Sequence, residues 1–214
     1  ADLAAPAPVT LADLRQAGTL TVLDVKRGDI GTTVDAYGEA FVGTHAPAPA
    51  DAITLSPYLG YGSLRPALDL AAQTGRGVFV LALTSNLEGA QVQHARLADG
   101  RSVAGAIADD AAADNADARS RGELGSVGLV VGATVGSAVR DLGVDLPAMA
   151  GPVLAPGLGA QGATAEDVRT VFAGALPQVL ASSSRDVLRA GPDVASLRAG
   201  AREVAEQVAA ITTA

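Results

Sequence analysis

The sequence predicts an α/β fold built on a parallel sheet, and two observations carry that prediction. Six short aliphatic or β-branched runs recur along the 214 residues, and alanine-rich segments with helical spacing lie between them. The runs are almost continuously apolar rather than alternating, as strands covered on both faces are. Strand–helix alternation of this kind requires crossover helices and so parallel pairing. In order, the predicted strands are 19–24 (TLTVLD), 52–55 (AITL), 78–83 (VFVLAL), 127–131 (VGLVV), 152–155 (PVLA) and 178–181 (QVLA). Helices are predicted at 33–42, 63–73, 103–120, 135–142, 165–172 and 194–210. Thr164 precedes Ala165-Glu166-Asp167 as an N-cap with an acidic first turn, and Pro192-Asp193 opens the last helix. No domain boundary is evident, so residues 1–214 read as one domain. Two architectures fit the alternation, an open doubly wound sheet and a (β/α)8 barrel. Polar motifs follow at least four of the strands, and six units are two short of a barrel.

Composition narrows the function. Hydrophobic residues make up 49% and charged residues 18%, which supports a sizeable core. The net charge of −8 and a sequence pI near 4.6 argue against nucleic acid as a partner, because phosphate-backbone binding needs a basic face. The chain has no cysteine, which removes thiolate metal sites, disulfides and cysteine nucleophiles. His45 and His94 fall in no metal-ligand spacing, so no metal is expected. No apolar stretch reaches the ~18 residues of a membrane span, and residues 1–10 lack the basic flank and apolar run of a signal peptide. Aromatics are 3% with no Trp, which disfavours a stacking platform. The acidic run Asp109, Asp110, Asp114 and Asp117 reads as a solvated helix face.

The densest chemistry follows the first strand, in Leu23-Asp24-Val25-Lys26-Arg27-Gly28-Asp29-Ile30-Gly31-Thr32-Thr33. Residues two apart on a strand share a side, so Asp24 and Lys26 project together. Gly28 and Gly31 allow a tight turn, with Asp29 on it. An ammonium between carboxylates stays protonated and can donate a proton to a developing carbanion. A strand-end D-x-K is often only a structural ion pair. Here, however, 14 of the 15 basic residues are arginine and Lys26 is the one lysine, a chemically distinct cation.

Asp24-x-Lys26-x-x-Asp29-Ile30-Gly31-x-Thr33 resembles the signature of orotidine 5′-phosphate decarboxylase, and Leu23 to Gly31 is similar to its bacterial, type 2 branch. The resemblance implies a (β/α)8 TIM barrel of which this chain carries strands 3 to 8. It implies decarboxylation of orotidine 5′-monophosphate to UMP and CO2 in pyrimidine biosynthesis, without metal or organic cofactor. Lys26 would protonate the C6 carbanion and Asp24 would lie near the departing carboxylate. Asp29 and Thr33 would reach the active site of the partner in a cytoplasmic homodimer.

Three further segments extend the resemblance. Ala155-Pro-Gly157-Leu-Gly159-Ala-Gln161-Gly162 follows a strand, and its glycines let backbone N–H groups approach an anion. Alone it reads more readily as an ordinary flexible loop, but it resembles the family's P-G-x-G-A-Q-G phosphate loop, which implies substrate contacts from Gly157, Gly159 and Gln161. Ser182-Ser183-Ser184-Arg185 follows the next strand. A strand-end arginine suits a phosphate dianion, and by resemblance Arg185 grips the phosphate with Ser184 beside it. Thr84-Ser85-Asn86-Leu87-Glu88-Gly89 resembles the type 2 T-S-N-P-E-G segment, which implies that Ser85 lies near the pyrimidine. Leu87 stands where proline is usual.

In the complete family fold two βα units precede the D-x-K strand. They supply a second lysine and a ribose-binding aspartate that no residue here replaces. A fragment and a truncated, inactive paralogue are the two readings of that difference. Two other functions stay open: a Mg-dependent sugar-phosphate decarboxylase or synthase of the same superfamily, and a non-catalytic nucleotide-phosphate-binding protein.

Overall fold

A computed structural model describes residues 6–159 and 162–212. Their contacts group into two compact units. One runs to Leu81 and includes Ser126–Gly128; the other holds Ala82–Gly125 and the chain from Leu129 onward.

The first unit contains α1 (Pro6–Gln16), β1 (Val22–Arg27), α2 (Gly31–Phe41) and β2 (Ala52–Leu55). A 3-10 turn, Tyr61–Leu64, then leads into α3 (Arg65–Gln73) and most of β3 (Gly77–Leu83). β1 pairs with β2 and β2 with β3, both in parallel. β2 is buried along its whole length, which is why its four residues are continuously apolar apart from Thr54. α2 and α3 meet at Gly38, where a Cβ would lie 3.3 Å from Leu70 Cδ2 and 3.4 Å from the Ala67 backbone. Val34, Ile53, Leu55, Leu64 and Val80 are fully buried in this unit.

The second unit contains the end of β3, α4 (Ala90–Gln93), α5 (Val103–Asp114), α6 (Ala116–Ser120), most of β4 (Val127–Val131), α7 (Ala138–Asp141) and α8 (Leu146–Met149). It continues with β5 (Val153–Pro156), α9 (Ala165–Val171), β6 (Val179–Ser182), α10 (Arg185–Arg189) and α11 (Val194–Thr212). β4 pairs with β5 and β5 with β6, again in parallel. Phe172, Leu83, Leu129, Leu146 and Met149 form its largest fully buried side chains. The β3–β4 pairing is marked in the first unit by Val78 N–H donating to Ser126 O (3.0 Å), and in the second by Gly132 N–H donating to Leu83 O (2.9 Å). Strand neighbours in sequence are therefore neighbours in the sheet, all parallel. A doubly wound sheet reverses its strand order at a switch point. Unreversed order is that of a (β/α)8 fold, here six of its strands.

The expected strands and helices lie within about two residues of the observed ones, with four exceptions. β1 begins at Val22 rather than at residue 19, because Thr21 is occupied by Asp51: the Asp51 carboxylate accepts from Thr21 N–H (2.7 Å) and Oγ1 (3.0 Å). It also runs three residues past the expected end. The helix expected at 103–120 breaks at Asn115, whose buried amide donates to Met149 O (3.0 Å). The helix expected at 135–142 shrinks to one turn because Gly136 is left-handed (φ 60°). The eleven-residue α1 and the short helices α4, α8 and α10 had no sequence expectation. The Thr164 cap is present as a reciprocal capping box with Asp167, and Asp193 accepts from Ser196 N–H (2.9 Å) at the start of α11.

Candidate active site

The first cluster lies at the C-terminal end of β1. Leu23 pairs with Ile53 and Arg27 with Leu55, so a four-residue step on β1 faces a two-residue step on β2. This bulge holds Lys26 in the left-handed region (φ 46°). A non-glycine residue there costs on the order of 1–3 kcal/mol and persists only when its surroundings hold it. Thr54, fully buried on β2, does so: its Oγ1 accepts the Lys26 backbone N–H (2.9 Å) and donates to Asp24 Oδ1 (2.8 Å). The Lys26 ammonium in turn donates to the other Asp24 oxygen. Both charged side chains remain about half exposed, and they share a side as strand spacing predicts, but across a bulge rather than along regular strand.

Burial alone would raise the Asp24 carboxyl pKa. The hydrogen bonds from Lys26 and Thr54, with the Lys26 charge, outweigh that and hold it below the ordinary value. Thr54 is the residue sequence reading missed. The signal was a lone hydroxyl in an otherwise apolar four-residue strand.

The turn after β1 is tight for a reason other than backbone handedness at Gly28. A Cβ there would overlap the Ser56 carbonyl oxygen, and Ser56 N–H donates to Arg27 O (2.7 Å). Gly31 does need its freedom (φ 54°), where α2 begins. Asp29 is half-buried, and its carboxylate accepts from Ile30 N–H (2.8 Å) rather than pairing with Lys26 in this single chain. Among the described residues Lys26 is thus held by one carboxylate, Asp24, rather than by two. Thr33 is exposed on the first turn of α2.

In the second unit, Ser85 lies just past β3 and is exposed. Its neighbours are bound to one another. Thr84 Oγ1 donates to Asn86 Oδ1 (2.6 Å), Asn86 Nδ2 to Glu88 (3.2 Å), and Gln93 Nε2 to Thr84 Oγ1 (2.7 Å). The Thr, Asn and Glu of this motif frame the loop, and Ser85 is left facing solvent.

Gly157, Ser184 and Arg185 come together around a cavity of about 50 Å³ between the ends of β5 and β6. Gly157 (φ 115°) and Gly159 (φ 72°) take conformations that favour glycine. The loop bonds to itself, with Gly159 N–H donating to Ala163 O (3.0 Å) and Ala163 N–H to Gly157 O (3.1 Å). Arg185 opens α10, is exposed, and forms no ion pair with any described residue. Gln161 lies outside the described residues. Among the described residues no group of three His, Cys, Asp or Glu could hold a metal ion, and no helix is long and apolar enough to cross a membrane.

Comparison with known proteins gives the family. Curated orotidine 5′-phosphate decarboxylases of Salinispora arenicola and Streptomyces coelicolor are 58% and 52% identical over 204 and 206 residues. This chain is covered to 95% and 96% in these matches and spans 71% of each relative. A Streptomyces avermitilis crystal structure, provisionally assigned as orotidine 5′-phosphate decarboxylase, superposes with a TM-score of 0.89 at 51% identity, covering 97% of this chain and 70% of that one. The inhibitor complex of the Methanocaldococcus jannaschii enzyme, 16% identical with a TM-score of 0.70, shares the fold. A model of the orotidine 5′-phosphate decarboxylase / HUMPS family matches residues 4–199, and the chain belongs to that family.

Proposed function

We propose that the protein decarboxylates orotidine 5′-monophosphate to UMP and CO2 in pyrimidine biosynthesis, with Lys26 as the proton donor. The observation that carries this reading is the Asp24–Lys26 pair, braced on both residues by the buried Thr54 at a strand's C-terminal end. In the proposed step the bond from C6 to the carboxylate breaks and CO2 leaves with its two oxygens. The electron pair stays on C6, and the Lys26 ammonium stabilises that charge and gives it a proton. Asp24 faces the departing carboxylate and orients the ammonium.

The remaining sequence-derived residues take the roles that the resemblance implies. Ser85 lies at the pyrimidine. Gly157, Gly159, Gln161, Ser184 and Arg185 hold the phosphate, the permanent charge of Arg185 suiting a dianion. Contacts far from C6 can lower the barrier through binding energy realised at the reacting atoms. Asp29 and Thr33 serve the partner's site in a cytoplasmic homodimer, and the reaction needs no metal or organic cofactor.

The test is Lys26→Ala in protein expressed from its complete reading frame. Turnover, followed by CO2 release, falls at least about 10³-fold while the dissociation constant for UMP changes little. Normal turnover of this variant sinks the assignment. Loss of activity on adding EDTA to the unmodified protein would favour the Mg-dependent sugar-phosphate chemistry instead.

A further inference from the structure

The turn after β3 is held by side chains rather than by strand pairing. Thr84, half-buried at the end of the strand, donates its backbone N–H to Gln93 Oε1 (2.9 Å), and its hydroxyl accepts from Gln93 Nε2 (2.7 Å). A single amide on the last residue of α4 thus meets Thr84 through both its acceptor and its donor. The bonds continue in one direction: Thr84 Oγ1 donates to Asn86 Oδ1 (2.6 Å), and Asn86 Nδ2 to Glu88 Oε2 (3.2 Å). Hydrogen bonds in series polarise one another, so the segment is fixed as a unit. Gly89 completes it. Its φ of −55° is open to any residue, but a Cβ there would lie 2.9 Å from Thr84 Oγ1 and 3.1 Å from both polar atoms of the Gln93 amide. Glycine is needed at 89 to leave room for the clamp. Ser85 sits between the two bonded residues, and its own hydroxyl takes no part in the chain. Its backbone rests on Gly132, just past β4, where a Cβ would come within 3.3 Å of Ser85 N and 3.4 Å of Ser85 Cβ.

We propose that Gln93 is the positioning residue of the pyrimidine end: its amide clamps Thr84 and so presents the Ser85 hydroxyl to the base. The inference rests on the proposed function for the identity of the ligand, and Gln93 itself touches no substrate. A serine on an unbraced loop has to be ordered when the nucleotide binds, which weakens binding. Here the residues on either side of Ser85 are bonded beforehand, and its hydroxyl alone is left to the ligand. Thr84, Asn86, Glu88 and Gly89 belong to the T-S-N-x-E-G segment. Gln93 lies four residues beyond it, and only the return of α4 toward the end of β3 brings it there.

The experiment uses protein from the complete reading frame and compares the dissociation constants of UMP and of ribose 5-phosphate, which keeps the phosphate and lacks the base. Gln93→Met keeps the length of the side chain and removes both bonds. UMP then binds about tenfold more weakly, while ribose 5-phosphate changes less than about twofold. Gly89→Ala, which leaves every bonding group in place but crowds the clamp, shifts UMP in the same direction. Thr84→Val repeats the loss, and Thr84→Ser, which restores the hydroxyl, recovers most of it. In a Ser85→Ala background, Gln93→Met weakens UMP less than about twofold, because the group it positions is gone. Undiminished affinity for UMP in both Gln93→Met and Gly89→Ala overturns the proposal. An equal loss for ribose 5-phosphate overturns it too, since that marks a merely structural role, as does the same loss with and without the Ser85 hydroxyl. If Ser85→Ala alone binds UMP as tightly as the parent, the proposal falls while the decarboxylation reading stands. A parent and variants that bind as expected, with no CO2 released from orotidine 5′-monophosphate by the parent, refute the proposed function and leave the positioning of Ser85 standing.

Discussion

At residue scale, Lys26 is defined by its backbone as much as by its charge. Its left-handed φ of 46° turns the chain so that the ammonium returns to Asp24, and the conformation survives because Thr54 binds both partners. Thr54→Val keeps the volume and removes the hydroxyl. The Asp24 carboxyl then loses a hydrogen bond that favours its charged form, so its pKa rises toward the ordinary value, as carboxyl titration by NMR would show. A misaligned Lys26 costs kcat about tenfold or more. An unmoved Asp24 titration would show that Thr54 does not hold the pair. The depressed pKa also sets a stability window. The pair contributes above the unfolded carboxyl value of about 3.9, and the contribution disappears as pH falls through the lower folded value. Acid unfolding of Asp24→Asn should therefore differ from that of the parent only above that range. The chemistry at this site was legible because Asp24, Lys26 and Asp29 are close in sequence. Thr54 was not, since its role depends on the pairing of β1 with β2 across 28 residues.

At element scale, local signals were read well where the determinant is local. The Thr164–Asp167 capping box sits within four residues, and the start of α9 follows from it. The division between α5 and α6 has a distant cause. Asn115 is 1% exposed, donates to the Met149 carbonyl at the end of α8, and packs so closely on Gly125 that a Cβ there would overlap its amide. Alanine-rich sequence on both sides gave no reason to end a helix, so the expectation ran through it. Asn115→Ala leaves a buried carbonyl without its donor, a loss of about 1–3 kcal/mol. For a chain of this size that lowers the melting temperature by roughly 2–4 °C per kcal/mol. A thermal scan showing no change would mean that water replaces the amide. The bulge in β1 belongs to the same class: hydrophobic pattern predicts strand, but the extra residues appear only when the register with β2 is known.

At the scale of the whole molecule, alternation of strands and helices was visible in the sequence, whereas the choice between an unreversed and a reversed strand order was not. Apolar runs carry no information about which strand lies beside which, and only the pairings decide it. Burial along the sheet is graded. β2 and β4 are buried throughout, β1 alternates between exposed and half-buried, and β6 has one buried residue in four. Large apolar side chains near the two end strands face solvent, Leu20 at 84% and Leu188 at 69% exposed. Among the described residues, β1 pairs only with β2 and β6 only with β5, so each has one side whose amides find no strand. Amide exchange requires the bonded N–H to open to water, and it opens most easily where few apolar contacts cover it. For the 214-residue chain by itself, hydrogen–deuterium exchange by mass spectrometry should rank β2 and β4 as the slowest strands, with β1 and β6 at least about tenfold faster. The ranking should hold across protein concentration. If β1 instead becomes as protected as β2 when concentration is raised, a second copy covers it, and the exposed side chains on that flank belong to an interface.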